Sequence, residues 1–170
     1  DAAKYGDCGK ICKLLDGGEA AVDEMTKVAH PDTGEELKVT ALVQAVLNQQ
    51  HEAVKLLLER GAKPNLPDSF GVTPLFEAAL RGHRRILQML LECDAVQLII
   101  NIAHPSSGCT PFHAACLQGH TDCAVLLSCA GCDMTLRNKD GETGKEVAQR
   151  RQHTAVLAGL QTLVLNQLQT

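Results

Sequence analysis

The stretch Gly71-Val-Thr-Pro-Leu-Phe-Glu-Ala-Ala-Leu-Arg-Gly-His83 returns, altered, as Gly108-Cys-Thr-Pro-Phe-His-Ala-Ala-Cys-Leu-Gln-Gly-His120. Both copies set Thr-Pro before a largely apolar run and close it with Gly-His. Thr followed by Pro reads as a helix start: the hydroxyl caps the first turn, and Pro presets φ where its missing N–H is not needed. Gly supplies the left-handed residue that ends the helix without strain. The small pairs Ala78-Ala79 and Ala115-Cys116 allow neighbouring helices to approach closely.

With Thr as the ruler, Thr40, Thr73, Thr110 and Thr143 stand 33, 37 and 33 residues apart. A period near 33, built from a turn and two short helices, marks units that stack to share one core, because a single unit cannot bury its apolar face alone. The second helix of each unit reads from Val54-Lys-Leu-Leu-Leu-Glu-Arg-Gly-Ala62 and from Leu87, Leu90 and Leu91. The elements Thr73-Pro-Leu-Phe76, Thr110-Pro-Phe-His113 and the weaker Thr40-Ala-Leu-Val43, with Gly82-His83, Gly119-His120 and Gln49-Gln50, resemble the ankyrin repeat over nearly the whole chain. The resemblance implies an all-α fold, an ankyrin-repeat solenoid of stacked helix-turn-helix units with β-turn or hairpin loops and no continuous β-sheet.

Register divides the single domain 1–170 into a partial unit 1–18, a loop insert 19–37, units 38–70, 71–107 and 108–140, and a degenerate C-terminal cap 141–170. The cap loses the Pro-Leu-His portion, reading Gly144-Lys145-Glu146, and turns Arg150, Arg151 and Gln152 to solvent, as a terminal unit should. The insert reads as a short helical turn over residues 20–25 followed by an extended loop. Four further residues around positions 97–100 are apolar, which predicts a loop folded back onto the outer helices. Insertions of this kind either touch partners or drift neutrally at the surface.

Sixteen basic and twenty acidic residues give a net charge of −4, which argues against a duplex nucleic-acid binder. No apolar run is long enough to span a bilayer and no signal peptide opens the chain. Eight Cys among abundant Leu, Ala and Val read as reduced thiols of a cytoplasmic or also nuclear protein. The chain opens without Met, inside a helical pattern, which reads as a piece of a longer protein with further domains.

Candidates for chemistry dissolve into the repeat. His83, His113 and His120 occupy the repeat's own positions, where an imidazole ties neighbouring backbone together. Cys129-Ala-Gly-Cys132 has a metal-type spacing but crosses a helix end, so its sulfurs diverge, and no second pair exists. Gly141-Glu-Thr-Gly-Lys145 is keyed to the repeat by Thr143 and lacks the context of a phosphate loop. The reading is a non-enzyme without cofactor or metal. The resemblance also implies that Asn65 is a candidate for β-hydroxylation by an asparaginyl hydroxylase, beside a structural role in its turn.

The family grips proteins on its concave side, and register carries those positions to the turn-tip residues Phe70, Val72 and Cys109 and to Leu47, Asn48, Leu80, Arg81, Leu117, Gln118 and Arg150 on the inner helices. Apolar residues at exposed places mark an interaction patch, with Phe70 and Arg81 as anchors. Leu80 and Leu117 could equally pack against each other across units. The implied partner is a protein or peptide with apolar anchors and some acidic character facing Arg81, Arg84 and Arg85. Two other readings stand beside it: a targeting or regulatory region of a larger enzyme such as a ubiquitin ligase or kinase, and a structural spacer, which predicts an indifferent groove.

Overall fold

The computed structural model describes residues 1–18, 20–29, 34, 36–93 and 96–167. Helix α1 (Cys8–Asp16) is followed by strands β1 (Thr26–Ala29) and β2 (Glu36–Val39). Four helix pairs come next: α2 (Ala41–Leu47) with α3 (His51–Glu59), α4 (Pro74–Arg81) with α5 (Arg84–Leu91), α7 (Pro111–Gln118) with α8 (Thr121–Cys129), and α9 (Gly144–Arg150) with α10 (Thr154–Gln167). A one-turn helix, α6 (Val96–Ile99), lies between α5 and α7. The first helices of the pairs form an inner row, α2–α4–α7–α9. The second helices form an outer row, α3–α5–α8–α10, with α1 packed on α3. One apolar core runs through the stack, from Ala2 and Ile11 to Val156 and Leu160.

The inner helices start as their sequence dictates. Thr40, Thr73, Thr110 and Thr143 each accept a bond from the backbone N–H three residues on, at 3.2–3.4 Å. In the last pair Glu146 replaces the family imidazole and still closes the cap, accepting from the Thr143 N–H at 2.7 Å. Gly82 and Gly119 end their helices with φ of 71° and 76°. A Cβ at Gly82 would lie 2.6 Å from the His120 ring, and one at Gly119 2.8 Å from that of His153. Glycine is therefore required twice over, for its backbone and for the ring of the next layer.

Those rings join the layers. His120 Nε2 donates to the Leu80 carbonyl at 3.2 Å, and His153 Nε2 to that of Leu117 at 3.1 Å. Gln50, at the same place in the second unit, does the same work with its amide, donating to the Lys4 carbonyl at 3.1 Å. His113 is buried and spans two layers: Nδ1 meets Thr110 Oγ1 at 2.8 Å, and Nε2 donates to the Glu142 carbonyl at 3.0 Å. The structural reading of these histidines holds. His83 is the exception, because its buried Nε2 has no hydrogen-bond partner among the described residues.

The insert departs from expectation. The turn is present, closed by Glu24 N–H to the Ala21 carbonyl, but an antiparallel hairpin follows it where an extended loop was expected. Thr26 pairs with Val39 and Ala29 with Glu36; residues 30–33 and 35 lie outside the described residues. Along β2, Glu36 and Lys38 are exposed while Leu37 and Val39 are buried, the period of two that a half-buried strand requires. That alternation is visible in the sequence, but the neighbouring Pro31-Asp-Thr-Gly34 reads as loop. Leu37 and Val39 pack on Val43 and Leu47 of α2, with Val28 against them. The second insertion does fold back: Ile99 and Ile100 are fully buried, while Leu98 is 72% exposed.

Candidate functional site

The residues singled out by register separate once packing is considered. Leu47 is a correction: it is 8% exposed, covered by the hairpin, and offers no contact surface. Its neighbour Asn48 is half-buried and its amide donates to the Gln44 carbonyl at 2.8 Å, ending α2. The inner row is therefore occupied by the chain itself at the second unit.

Further along the stack the surface opens. Phe70 is 47% exposed at its turn tip. Val72, Leu80 and Cys109 are half-buried, each resting against the core, and Leu117 is half-buried beyond them. Gln118 is exposed. The turn tips are rigid. Asp68 Oδ1 accepts from the N–H groups of Phe70 and Val72, both at 2.9 Å, and Asn138 Oδ1 accepts from those of Asp140 and Glu142. Adjacent tips are laced together, with Ser69 N–H donating to the Lys38 carbonyl and Lys139 N–H to that of Ser107, both at 2.9 Å. Phe70 is thus an aromatic side chain held in solvent by a fixed backbone.

The arginines are divided. Arg81 is partly buried at the end of α4 and pairs with Glu77, a carboxylate only 4% exposed. Arg84 and Arg85 begin the outer helix α5, where Arg84 Nε lies 3.8 Å from Asp122 of α8. Arg81 thus ends an inner helix, whereas Arg84 and Arg85 begin an outer one. Arg150 is exposed but clamped in two bonds, 2.7 and 2.8 Å, to Glu142, whose carboxyl is held below the usual range by that guanidinium.

Asn65 is exposed in its turn. One unit later Asn101 stands one residue before the place that the Thr spacing gives, and its Oδ1 accepts the Asp133 N–H at 2.9 Å and so ties two units together. Asp23 of the insert makes the matching bond to the Lys63 N–H at 2.9 Å. Sequence reading missed both, Asn101 because it stands one residue off the place that the Thr spacing gives and Asp23 because it lies in the insert.

Among the described residues, no group of three or more His, Cys, Asp or Glu side chains is placed to hold a metal ion. The two ends of Cys129-Ala-Gly-Cys132 diverge as expected, with Cys129 exposed and Cys132 buried. Burial pushes the Cys116 and Cys132 thiols up to about 12 and that of Cys123 up to about 11, which keeps them protonated and unreactive.

Comparison with known proteins gives a concordant result. A family model described as ankyrin repeats (3 copies) matches residues 1–101 and, overlapping, 42–138. SH3 and multiple ankyrin repeat domains protein 2 of Homo sapiens is 31% identical over 147 residues, covering 86% of this chain and 7% of that protein. Cyclin-dependent kinase inhibitor 2A of Homo sapiens is 31% identical over 128 residues, 74% of this chain and 80% of the inhibitor. The tyrosine-protein kinase HTK16 of Hydra vulgaris is 26% identical over 132 residues, 78% of this chain and 17% of the kinase. The chain thus spans most of one short relative and a small part of two long ones. Given a family match over residues 1–138 and the capped, imidazole-bridged helix pairs, the chain belongs to the ankyrin-repeat family.

Proposed function

We propose that the chain is a non-catalytic protein-interaction module that grips a partner segment on its concave side, along the inner row from Phe70 to Leu117. Ankyrin repeats generally mediate protein–protein interaction, and the open question is which surface does so here. The observation that carries the choice is Phe70: a large aromatic side chain, 47% exposed on a backbone braced by Asp68, at the head of a register row in which Val72, Leu80, Cys109 and Leu117 are half-buried. A rigid aromatic flanked by aliphatic groups is the usual form of a binding hot spot. With Leu47 buried, this reading starts the surface at the turn between the second and third units. Because Arg81 is paired with Glu77 and Arg84 lies near Asp122, the reading leans on apolar contact more than on an acidic partner.

A second reading has its own support. The chain spans a small fraction of two long relatives, one of them a kinase, so this region can be the targeting or regulatory part of a larger enzyme. The two readings share the surface and differ in what is attached to it.

The test is site-specific photocrosslinking. A photoreactive residue at Phe70 or Leu117 captures the partner, while one at the exposed Gln88 of the outer helix does not. The double substitution Phe70→Ala with Leu117→Asp weakens binding of the captured partner by about thirtyfold, the equivalent of about 2 kcal/mol. Capture from Gln88 alone would place the interface on the outer row and overturn the proposal.

A further inference from the structure

The hairpin that covers Leu47 has a backbone edge turned toward the third unit. Lys38 of β2 directs its backbone away from β1: its N–H donates to Ser69 Oγ at 3.0 Å, and its C=O accepts the Ser69 N–H at 2.9 Å. The pairing of β2 with β1 is residue for residue, from Thr26 with Val39 to Ala29 with Glu36, and has no bulge. In such a ladder the backbone groups face alternate edges, so residues two apart face the same one. The N–H and C=O of Glu36 therefore point to the side on which Ser69 sits, about 7 Å further along the strand. Among the described residues nothing is bonded to them there.

The turn at residues 68–72 fills only part of this edge. Asp68 N–H closes it on the Val72 carbonyl, and Gly71, with φ of 83°, sends the chain back toward α4. The position next to β2 is thus taken by the chain itself at Lys38 and left to solvent at Glu36, which is exposed. Phe70 follows directly on the Ser69 link, so the open position and the exposed aromatic belong to the same turn. An outward N–H and C=O on one strand residue are met by one residue of a neighbouring extended chain, which exchanges both bonds with it. On the inward face of β2, Leu37 and Val39 pack on Val43 and Leu47. Side chains of an added strand that face the same way continue this apolar layer, and the alternate ones face water.

We propose that the partner segment binds in extended conformation as an added strand, antiparallel to β2, with one of its residues exchanging both backbone bonds with Glu36 and with apolar side chains at every second position. The proposal rests on the concave-side reading and supplies the form of the partner. A helix satisfies its backbone groups internally and has none to offer this edge.

The test uses random linear peptides displayed on phage and selected on the immobilised chain. The selected sequences place apolar residues two apart, and the synthetic peptides slow hydrogen exchange of the Glu36 amide in NMR. Glu36→Pro deletes the N–H that faces the partner and no bond to β1, a place where an edge strand tolerates Pro. Glu36→Ala keeps that N–H and removes only the side chain that pairs with Lys27. Peptide affinity falls about fivefold in Glu36→Pro relative to Glu36→Ala, the worth of one backbone bond. Should NMR show that the Pro variant has lost the hairpin, protection of the Glu36 amide in the wild type decides alone. Apolar residues three and four apart, an unprotected Glu36 amide, equal affinities in the two variants, or no peptide selected at all would overturn the proposal. Peptides weakened by Phe70→Ala but not by Glu36→Pro remove the added strand and leave the concave surface standing, whereas peptides indifferent to both remove both.

Discussion

The unpaired His83 has a cause one layer away, and correcting that cause should stabilise the protein. Gln49 occupies the place that Gly82 and Gly119 hold in later units, with φ of 55°. At those glycines the next imidazole passes within 2.6–2.8 Å of where a Cβ would stand. By register the Cβ of Gln49 stands where the His83 ring would pass to reach the Leu47 carbonyl, and among the described residues His83 Nε2 is buried without a partner. Gln49→Gly opens that path. It relieves about 1–2 kcal/mol of left-handed strain, offset by roughly 0.5–1 kcal/mol of added chain entropy in the unfolded state. Pairing the orphan nitrogen contributes a further 1–3 kcal/mol or so. Gln152 supplies the control, since it has the same backbone, φ 61°, just past the exposed end of α9, and among the described residues no imidazole of a further layer packs over it. Gln152→Gly gains only the backbone part. Urea unfolding followed by circular dichroism should then place Gln49→Gly about 1–3 kcal/mol above Gln152→Gly, a difference of roughly 2–10 °C in Tm for a chain of this size. Equal shifts in the two variants would refute the link between the Gln49 Cβ and the His83 nitrogen.

Burial lowers the pKa of both His83 and His113 below 6.5, so the unfolded chain takes up protons first as the pH falls. Their contribution to stability is complete above about pH 6.5 and is lost as the pH drops through the window below it; His113→Gln should flatten the slope of urea-unfolding stability between pH 7 and 5. A thiol reagent at pH 8 should modify the exposed Cys129 before Cys116, Cys123 and Cys132, which burial holds at about 11–12; mass spectrometry of Cys129→Ser should show that the earliest adduct is gone. Leu47→Ala, a deletion in the cluster under the hairpin, should cost about 2–4 kcal/mol in urea unfolding. A cost below about 0.5 kcal/mol would mean that Leu47 is a surface residue after all.

Much of the candidate surface was legible before any coordinates, and its errors share one form. Register put Phe70, Gln118 and Arg150 outside, and they are exposed. Leu47 follows the same register and is buried, because a hairpin from residues 26–39 covers it. Arg81 reads as an anchor from register, and one helical turn earlier Glu77 supplies a buried carboxylate that pairs with it. Asn101 is passed over because it stands one residue off the place that the Thr spacing gives.

The sequence alone determined what is local and periodic: the Thr caps, the glycine stops, the imidazole bridges and the order of the helix pairs. Each rests on a few residues at fixed spacing, so the same physical solution recurs whenever the pattern does. Tertiary structure alone decided which of the equivalent positions meet water. It laid the insert over the inner helix of the second unit, split the arginines between two rows, and left the His83 Nε2 without a partner among the described residues. Exposure and hydrogen-bond satisfaction depend on whatever segment packs above a residue, and that segment can come from anywhere in the chain.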